Sequence, residues 1–109
     1  MAKITCKELQ STFRIYNERF FDGKLPDDYV VRFERMRDDD GQHLPGPREI
    51  LINADFRNHP DIAIFILLHE MVHAALPDYI GQKSDEHHGM QFQAKVWELI
   101  KLGAYDGLL

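Results

Sequence analysis

The sequence has few of the features that mark several common classes of protein. It contains one cysteine, Cys6, in 109 residues, which excludes an internal disulfide and a zinc ribbon, since a ribbon is built from several cysteine ligands. No run approaches the about 18 apolar residues that a membrane helix needs. The N-terminal MAKITCKELQ lacks the apolar stretch of a secretory signal. We therefore expect a cytoplasmic protein.

An excess of positive charge is also absent. The chain has 13 Lys and Arg against 18 Asp and Glu, for a formal net charge of −5. Nucleic-acid-binding domains usually present a block of basic residues. The arginines at Arg32, Arg35 and Arg37 are followed at once by 38–40, which are all Asp. This mixture is typical of a solvated edge and gives a nucleic-acid partner no support.

The apolar content is sufficient for one core. Hydrophobic residues make up 44% of the chain and aromatic residues 11%, and this length is typical of one domain. We expect residues 1–109 to form a single domain.

Hydrophobic spacing and capping signals predict three main helices. Thr5 and Glu8 form a capping box at the start of the first helix. The second helix begins at a proline and is apolar nearly all round, which is typical of a helix at the centre of a protein. The three helices are predicted at about 6–21, from Pro60 to about Ala75, and at about 89–102.

Strand signals occur at 29–35 and 49–53, with a short strand possible around 42–44. Together with the helices they predict an α+β fold, in which about three helices pack on a short, mostly antiparallel three-stranded sheet.

The second helix carries the sequence HEMVH at residues 69–73. His69 and His73 are four residues apart, so their imidazoles share one helix face and can reach one cation at about 2.0–2.1 Å each. Glu70 is rotated about 100° from His69, where it can hold a water as general base. Polar groups on so apolar a helix need partners. The pattern therefore predicts a metal site.

A catalytic zinc takes three protein ligands and keeps a position open, so a third ligand must come from outside this helix. His43, near a turn, and His59, at a helix start, are expected to be structural, and Cys6 is expected to be a small buried residue. The candidates for the third ligand are Asp78, Asp85, Glu86, His87, His88 and Glu98.

A histidine motif at the start of the last helix is more specific. His88 stands fifteen residues after His73 in the sequence HGMQF, and FFDGKLP and ILIN occur upstream. HExxH, a short loop and an HGxxF-type motif together resemble the SprT-like zinc metalloproteases, a group that includes the Spartan-type proteases acting on DNA–protein crosslinks. The resemblance covers about 6–102.

This resemblance implies a zincin-like domain that hydrolyses peptide bonds in a protein or peptide substrate. By position, the zinc ligands would be His69, His73 and His88, and Glu70 would be the catalytic base that activates a water held by Zn²⁺. Nucleic acid enters as a partner only through the family. The cysteines of the C-terminal zinc ribbon that many members carry are missing from these residues. An oxyanion-stabilising group could come from Tyr79, His87 or Tyr105.

Several alternatives remain open at the level of sequence. HExxH fixes the nucleophile and not the substrate, so another zinc-dependent hydrolase is the second hypothesis. A metal-stabilised binding protein is the third, although such a site has no use for Glu70. A substrate strand could add to an exposed sheet edge near Ile50–Asn53 or His43–Leu44. The tail 103–109 could pack on the core or cover the cleft.

Overall fold

The computed structural model describes residues 3–76 and 89–108, which form three helices and three strands. This confirms the predicted α+β class and the position of each main element. The elements in chain order are α1 (Cys6–Phe20), β1 (Val30–Glu34), β2 (Gly41–Leu44), β3 (Glu49–Asn53), a 3-10 turn (Ala54–Phe56), α2 (Pro60–Ala75) and α3 (Met90–Leu102).

The sheet is mixed rather than mostly antiparallel. Its strand order is β1-β3-β2, with β3 parallel to β1 and antiparallel to β2. The chain passes from β1 to the far edge before it returns along the middle as β3, so only β2 and β3 form a hairpin. Because β3 is central, the segment Ile50–Asn53 does not provide the predicted edge. The strand that contains His43 and Leu44 does.

One face of the sheet packs against the helices. Val31 pairs with Ile50, and Ile50 pairs with His43 on the other side, so these three side chains point the same way. They meet a fully buried layer from α1 and α2. That layer contains Leu9, Phe13, Leu67, Leu68, Met71 and Val72. The prediction that α2 lies at the centre of the protein is confirmed.

The ends of α1 and α3 follow the predicted signals. The Thr5 backbone N–H donates to Glu8 Oε1 at 3.1 Å, and the Glu8 N–H donates back to Thr5 Oγ1 at 3.1 Å. Gly103 ends α3 with φ of 88°, a left-handed conformation that glycine adopts without steric cost. Cys6, expected to be buried, is exposed, because the first turn of α1 leaves its side chain at the edge, where Sγ accepts from the Phe33 N–H at 3.4 Å.

The segment after α3 packs on the core. Ala104 and Tyr105 are buried, and the Tyr105 ring lies 5.5 Å from that of Phe65 in α2. This is the first of the two arrangements considered for the tail. Among residues 3–76 and 89–108, no helix has the length and apolarity needed to cross a membrane.

Candidate metal centre

The two histidines of HEMVH lie on one side of α2. The centroids of the His69 and His73 rings are 4.9 Å apart, with the planes inclined by 75°. Both side chains are half-buried, because α2 is covered by the sheet on one side and by α3 on another. The helix thus presents two imidazoles together at the margin of the core.

Phe92, in the first turn of α3, contacts both imidazoles. Its ring centroid lies 5.0 Å from that of His69 and 4.7 Å from that of His73. Phe92 is buried and belongs to the hydrophobic core, as the helical pattern predicted. The contact restricts the orientation of both rings and brings the start of α3 to the histidines.

Glu70 is turned toward β2 and is only 6% exposed. Within the described residues its carboxylate makes no hydrogen bond or ion pair. Because no fully buried side-chain oxygen of these residues lacks a partner, the Glu70 oxygens reach the cleft. Burial, together with the negative charge of Asp39, raises the pKa of Glu70 to about 7. A charged carboxylate without a donor is costly to bury. Glu70 is therefore available to a water or a cation.

Gly41, at the start of β2, makes room for this carboxylate. A Cβ atom at Gly41 would lie 2.5 Å from Ile66 Cγ2 and 3.2 Å from Glu70 Oε2. The first distance is too short for any side chain to be accepted without movement of α2 or β2. Nothing in the sequence pattern identifies the neighbours of this glycine across the cleft.

An open cleft of about 400 Å3 adjoins His69 and Glu70. Asp40 and Gly41 form one wall, and the first half of α2 forms the other. Ile62 and Phe65 on the second wall are 44% and 38% exposed. Sequence reasoning missed both residues as parts of the cleft, because a helix that is apolar all round does not indicate which residues reach solvent.

Asn53, at the end of β3, holds the loop that leads into this cleft. Its Nδ2 donates to the carbonyls of Met36 at 3.1 Å and Asp39 at 2.9 Å, and its Oδ1 accepts from the Asp55 N–H at 3.0 Å. The loop therefore enters β2 with Asp39 and Asp40 fixed beside Glu70. Asn53 is the last residue of the ILIN stretch, but no sequence pattern indicates these hydrogen-bond partners.

Several other candidate side chains have different contacts. The Tyr29 hydroxyl and His43 Nε2 form a hydrogen bond of 2.6 Å, and His59 is the exposed N-cap residue of α2. Glu98 pairs with Lys95 at 2.8 Å, and the hydrogen bond from that lysine lowers its pKa. Burial against the core raises the pKa of Tyr105. None of these side chains lines the cleft beside His69 and Glu70.

The remaining candidates lie outside the described residues. They are Asp78, Tyr79, Asp85, Glu86, His87 and His88. Within 3–76 and 89–108, no group of three or more His, Cys, Asp or Glu side chains could hold a metal. The described part of the site therefore consists of His69, His73 and Glu70, with Phe92 behind the two rings.

Comparisons with known proteins agree with the motifs. A search of curated proteins found no match. The model of the SprT-like family matches residues 9–103, a range that includes all three strands, α2, α3 and most of α1. The chain therefore belongs to the SprT-like family.

Proposed function

We propose that this protein is a zinc-dependent metallopeptidase, in which His69, His73 and His88 hold Zn²⁺ and Glu70 is the general base. The observation that carries the proposal is the buried Glu70 carboxylate, which has no hydrogen-bond donor in the described part of the chain and lies next to two adjacent imidazoles beside an open cleft. Membership of the SprT-like family is compatible with such a role.

The donor set suits zinc. Imidazole nitrogens bind Zn²⁺ at about 2.0–2.1 Å, so two tetrahedral ligand atoms stand about 3.3 Å apart. Ring centroids 4.9 Å apart allow that spacing. His88 is supported as the third ligand by sequence and by its neighbours. It directly precedes Gly89, the N-cap residue of α3, and Phe92 in the first turn of α3 touches both rings.

The carboxylate of Glu70 would transfer the proton during hydrolysis. When bound, zinc polarises the scissile carbonyl and lowers the pKa of water to about 7. A Glu70 oxygen then accepts the proton of the attacking water and passes it to the nitrogen of the leaving amine. Gly41 allows this carboxylate to lie against β2.

The free edge of β2 is suited to hold the substrate main chain. The Asn53 N–H donates to the Asp40 carbonyl at 2.8 Å, and in an antiparallel ladder the directly bonded pairs alternate. By that alternation and the observed register, the main-chain groups of Gly41 and His43 point away from β3. A peptide added along this edge would form main-chain hydrogen bonds without a sequence requirement.

Hydrolysis of a fluorogenic peptide or an unfolded protein, with zinc measured in the same samples, tests the proposal. Glu70→Gln should lower kcat/KM by a factor of about 10²–10⁴, the usual contribution of a general base, and leave zinc content unchanged. The matched control is Glu18→Gln on the exposed side of α1, which should alter neither quantity.

The other hypotheses have different outcomes. Hydrolysis of an ester but of no peptide, lost in Glu70→Gln, would indicate another zinc-dependent hydrolase. Bound zinc without hydrolysis of any substrate would indicate a metal-stabilised binding protein. A Glu70→Gln variant with full peptidase activity would contradict the role of Glu70. Nucleic acid is not part of the proposal, since the net charge of −5 gives it no support.

A further inference from the structure

A second cavity, of about 600 Å3, adjoins the C-terminal end of α2. Its walls come from His43 in β2, from the last residues of α2 and from Lys95 in α3. Along α2, the first cleft extends as far as Glu70 and the second cavity begins at Ala74. His73 therefore stands between the two cavities.

Three cations line this second cavity, although the chain as a whole is acidic. They are Lys24, Arg48 and Lys95, above a floor that includes Tyr29 and His43. We name this set of five residues the basic pocket. The same cavity has apolar walls, so a ligand would contact both hydrocarbon surface and positive charge.

The carboxylates that neutralise two of these cations do not line the cavity. Arg48 Nη1 contacts both oxygens of Asp28, at 3.0 and 2.9 Å, and Lys95 Nζ lies 2.8 Å from Glu98. Lys24 has no ion pair among the described residues. Among the three cations of the basic pocket, Lys24 is therefore the one that the described residues leave available to an anion.

Helix α3 contributes residues both to the basic pocket and to the surroundings of the proposed metal centre. Phe92 contacts His69 and His73, and Lys95 follows three residues later, which places it on the same helix face. Lys95 Nζ also lies 5.0 Å from the ring centroid of Phe21 at the margin of the cavity. One face of α3 thus borders both the histidines and the basic pocket.

We propose that the basic pocket binds an acidic side chain of the peptide substrate, on the N-terminal side of the scissile bond. The proposal rests on the proposed peptidase function and defines its substrate class. A carboxylate with an aliphatic stem, as in glutamate, matches a cavity that has apolar walls and cations at its rim.

The position along the substrate follows from the direction of β2. Gly41 lies beside Glu70, and His43 lies in the basic pocket two residues later, at a distance of about 7 Å along the strand. An antiparallel substrate strand would run from the His43 end toward the Gly41 end. The residue at the basic pocket therefore precedes the bond that lies beside Glu70.

A peptide fits this surface better than a nucleic acid does. A nucleic-acid backbone needs a continuous run of cations, whereas Asp40 and Glu70 line the cleft beyond His73. The cations line the second cavity, whereas carboxylates line the first cleft. This distribution suits a peptide with one acidic side chain at the basic pocket.

Three series of octapeptides test the proposal with the zinc-loaded enzyme. Each series carries Glu, Gln or Lys, and this residue is moved through the positions of the peptide. Mass spectrometry locates each cleavage. The Glu peptide should be cleaved about tenfold faster than the Gln peptide in kcat/KM, equivalent to about 1.4 kcal/mol, with Glu on the N-terminal side of the cut. Lys24→Glu should abolish the preference for the Glu peptide.

Lys101→Ala, an exposed lysine at the far end of α3, is the matched control and should preserve the preference for Glu. Equal rates for the three peptides, a preference for Glu on the C-terminal side, or an unchanged ratio in Lys24→Glu would overturn the proposal while leaving the peptidase function intact.

Binding separates the two proposals if no peptide is cleaved. Fluorescence anisotropy with zinc-loaded Glu70→Gln measures affinity without turnover. Tighter binding of the Glu peptide, lost in Lys24→Glu, supports the basic pocket even if the peptidase proposal fails. Equal binding of the three peptides overturns it.

Discussion

Asn17 and Glu70 are buried to almost the same extent, at 4% and 6% exposure, but only Asn17 has its hydrogen bonds made. Its Nδ2 donates to the Leu25 carbonyl at 2.9 Å, and its Oδ1 accepts from the Leu25 N–H at 3.0 Å. Glu70 has no such donor among the described residues.

The two environments show what each region is built to do. Asn17 closes the bend after α1 and stabilises the fold, as buried polar groups with satisfied partners usually do. Glu70 reduces the stability of the metal-free fold because its charge is desolvated. A carboxylate that no described residue bonds retains its capacity to bind a water proton or a cation. Glu70 in the cleft therefore lowers the free energy of unfolding, whereas Asn17 at the end of α1 raises it.

Replacing Glu70 by Gln should give the largest effect on stability in the metal-free protein. Because the pKa of Glu70 is about 7 in the folded protein and has its ordinary value of 4.5 in the unfolded chain, the unfolded chain ionises first as the pH rises. The free energy of unfolding therefore falls as the pH rises from 4.5 to about 7, and it stays low at higher pH. In EDTA at pH 8, Glu70→Gln should be more stable than wild type by roughly 3 kcal/mol, measured by urea unfolding.

At pH 4 this difference should disappear, since Glu70 is then protonated in both states. Glu18→Gln serves as the exposed control at both pH values. Equal stability of wild type and Glu70→Gln at pH 8 would show that the carboxylate is not desolvated as described.

Replacing Asn17 by Ala should destabilise the protein, by less than Glu70→Gln stabilises it. It removes two hydrogen bonds and leaves the buried backbone groups of Leu25 without partners, at a cost of about 2 kcal/mol. Urea unfolding at pH 7 measures the loss. Asn58→Ala, an exposed asparagine before α2, should change stability little; an equal loss in both variants would remove the distinction between the two regions.

Substituting Gly41 with Ala tests the contact between β2 and α2. The added Cβ would lie 2.5 Å from Ile66 Cγ2, and crowding of this kind costs about 1–2 kcal/mol. Gly46→Ala is the control, because nothing lies within 4 Å of its Cβ position. In a double-mutant cycle, Gly41→Ala should cost less in an Ile66→Ala background, whereas strict additivity would exclude the steric explanation.

The smallest expected effect concerns His43. Burial lowers its pKa from the ordinary value of 6.5, so the folded protein binds the proton less readily than the unfolded chain. The free energy of unfolding therefore falls as the pH drops below 6.5. His43→Gln should weaken this acid dependence by less than about 1 kcal/mol, on the scale of one hydrogen bond. Thermal unfolding at pH 7.5 and 5.5 measures it, with the exposed His59→Gln expected to match wild type.

Much of the fold could be predicted because local signals and periodicity agree. The capping box at Thr5, the apolar run of α2 and the glycine after α3 each act within a few residues, so they are readable in the sequence. The central position of β3 was not predicted, since strand order depends on contacts between residues distant in sequence. The exposure of Cys6 depends in the same way on where β1 lies.

In the candidate site, too, the residues related by local spacing were predicted and those related by distant contacts were not. His69, Glu70 and His73 are spaced by one helix, and the sequence identified them together. Gly41 and Asn53 act across the cleft or across a loop, through contacts that no spacing reveals. The basic pocket joins α1, the hairpin and α3, so its three cations are scattered in the sequence and carry no motif.

The most direct test of the central claim is the zinc content of purified protein, measured by mass spectrometry after incubation with zinc and removal of the excess. Wild type and Glu70→Gln should each hold one zinc per chain, and His73→Ala and His88→Ala should lose most of it, while the exposed His59→Ala keeps it. An absence of zinc from wild type, or full zinc in His73→Ala, would contradict the account.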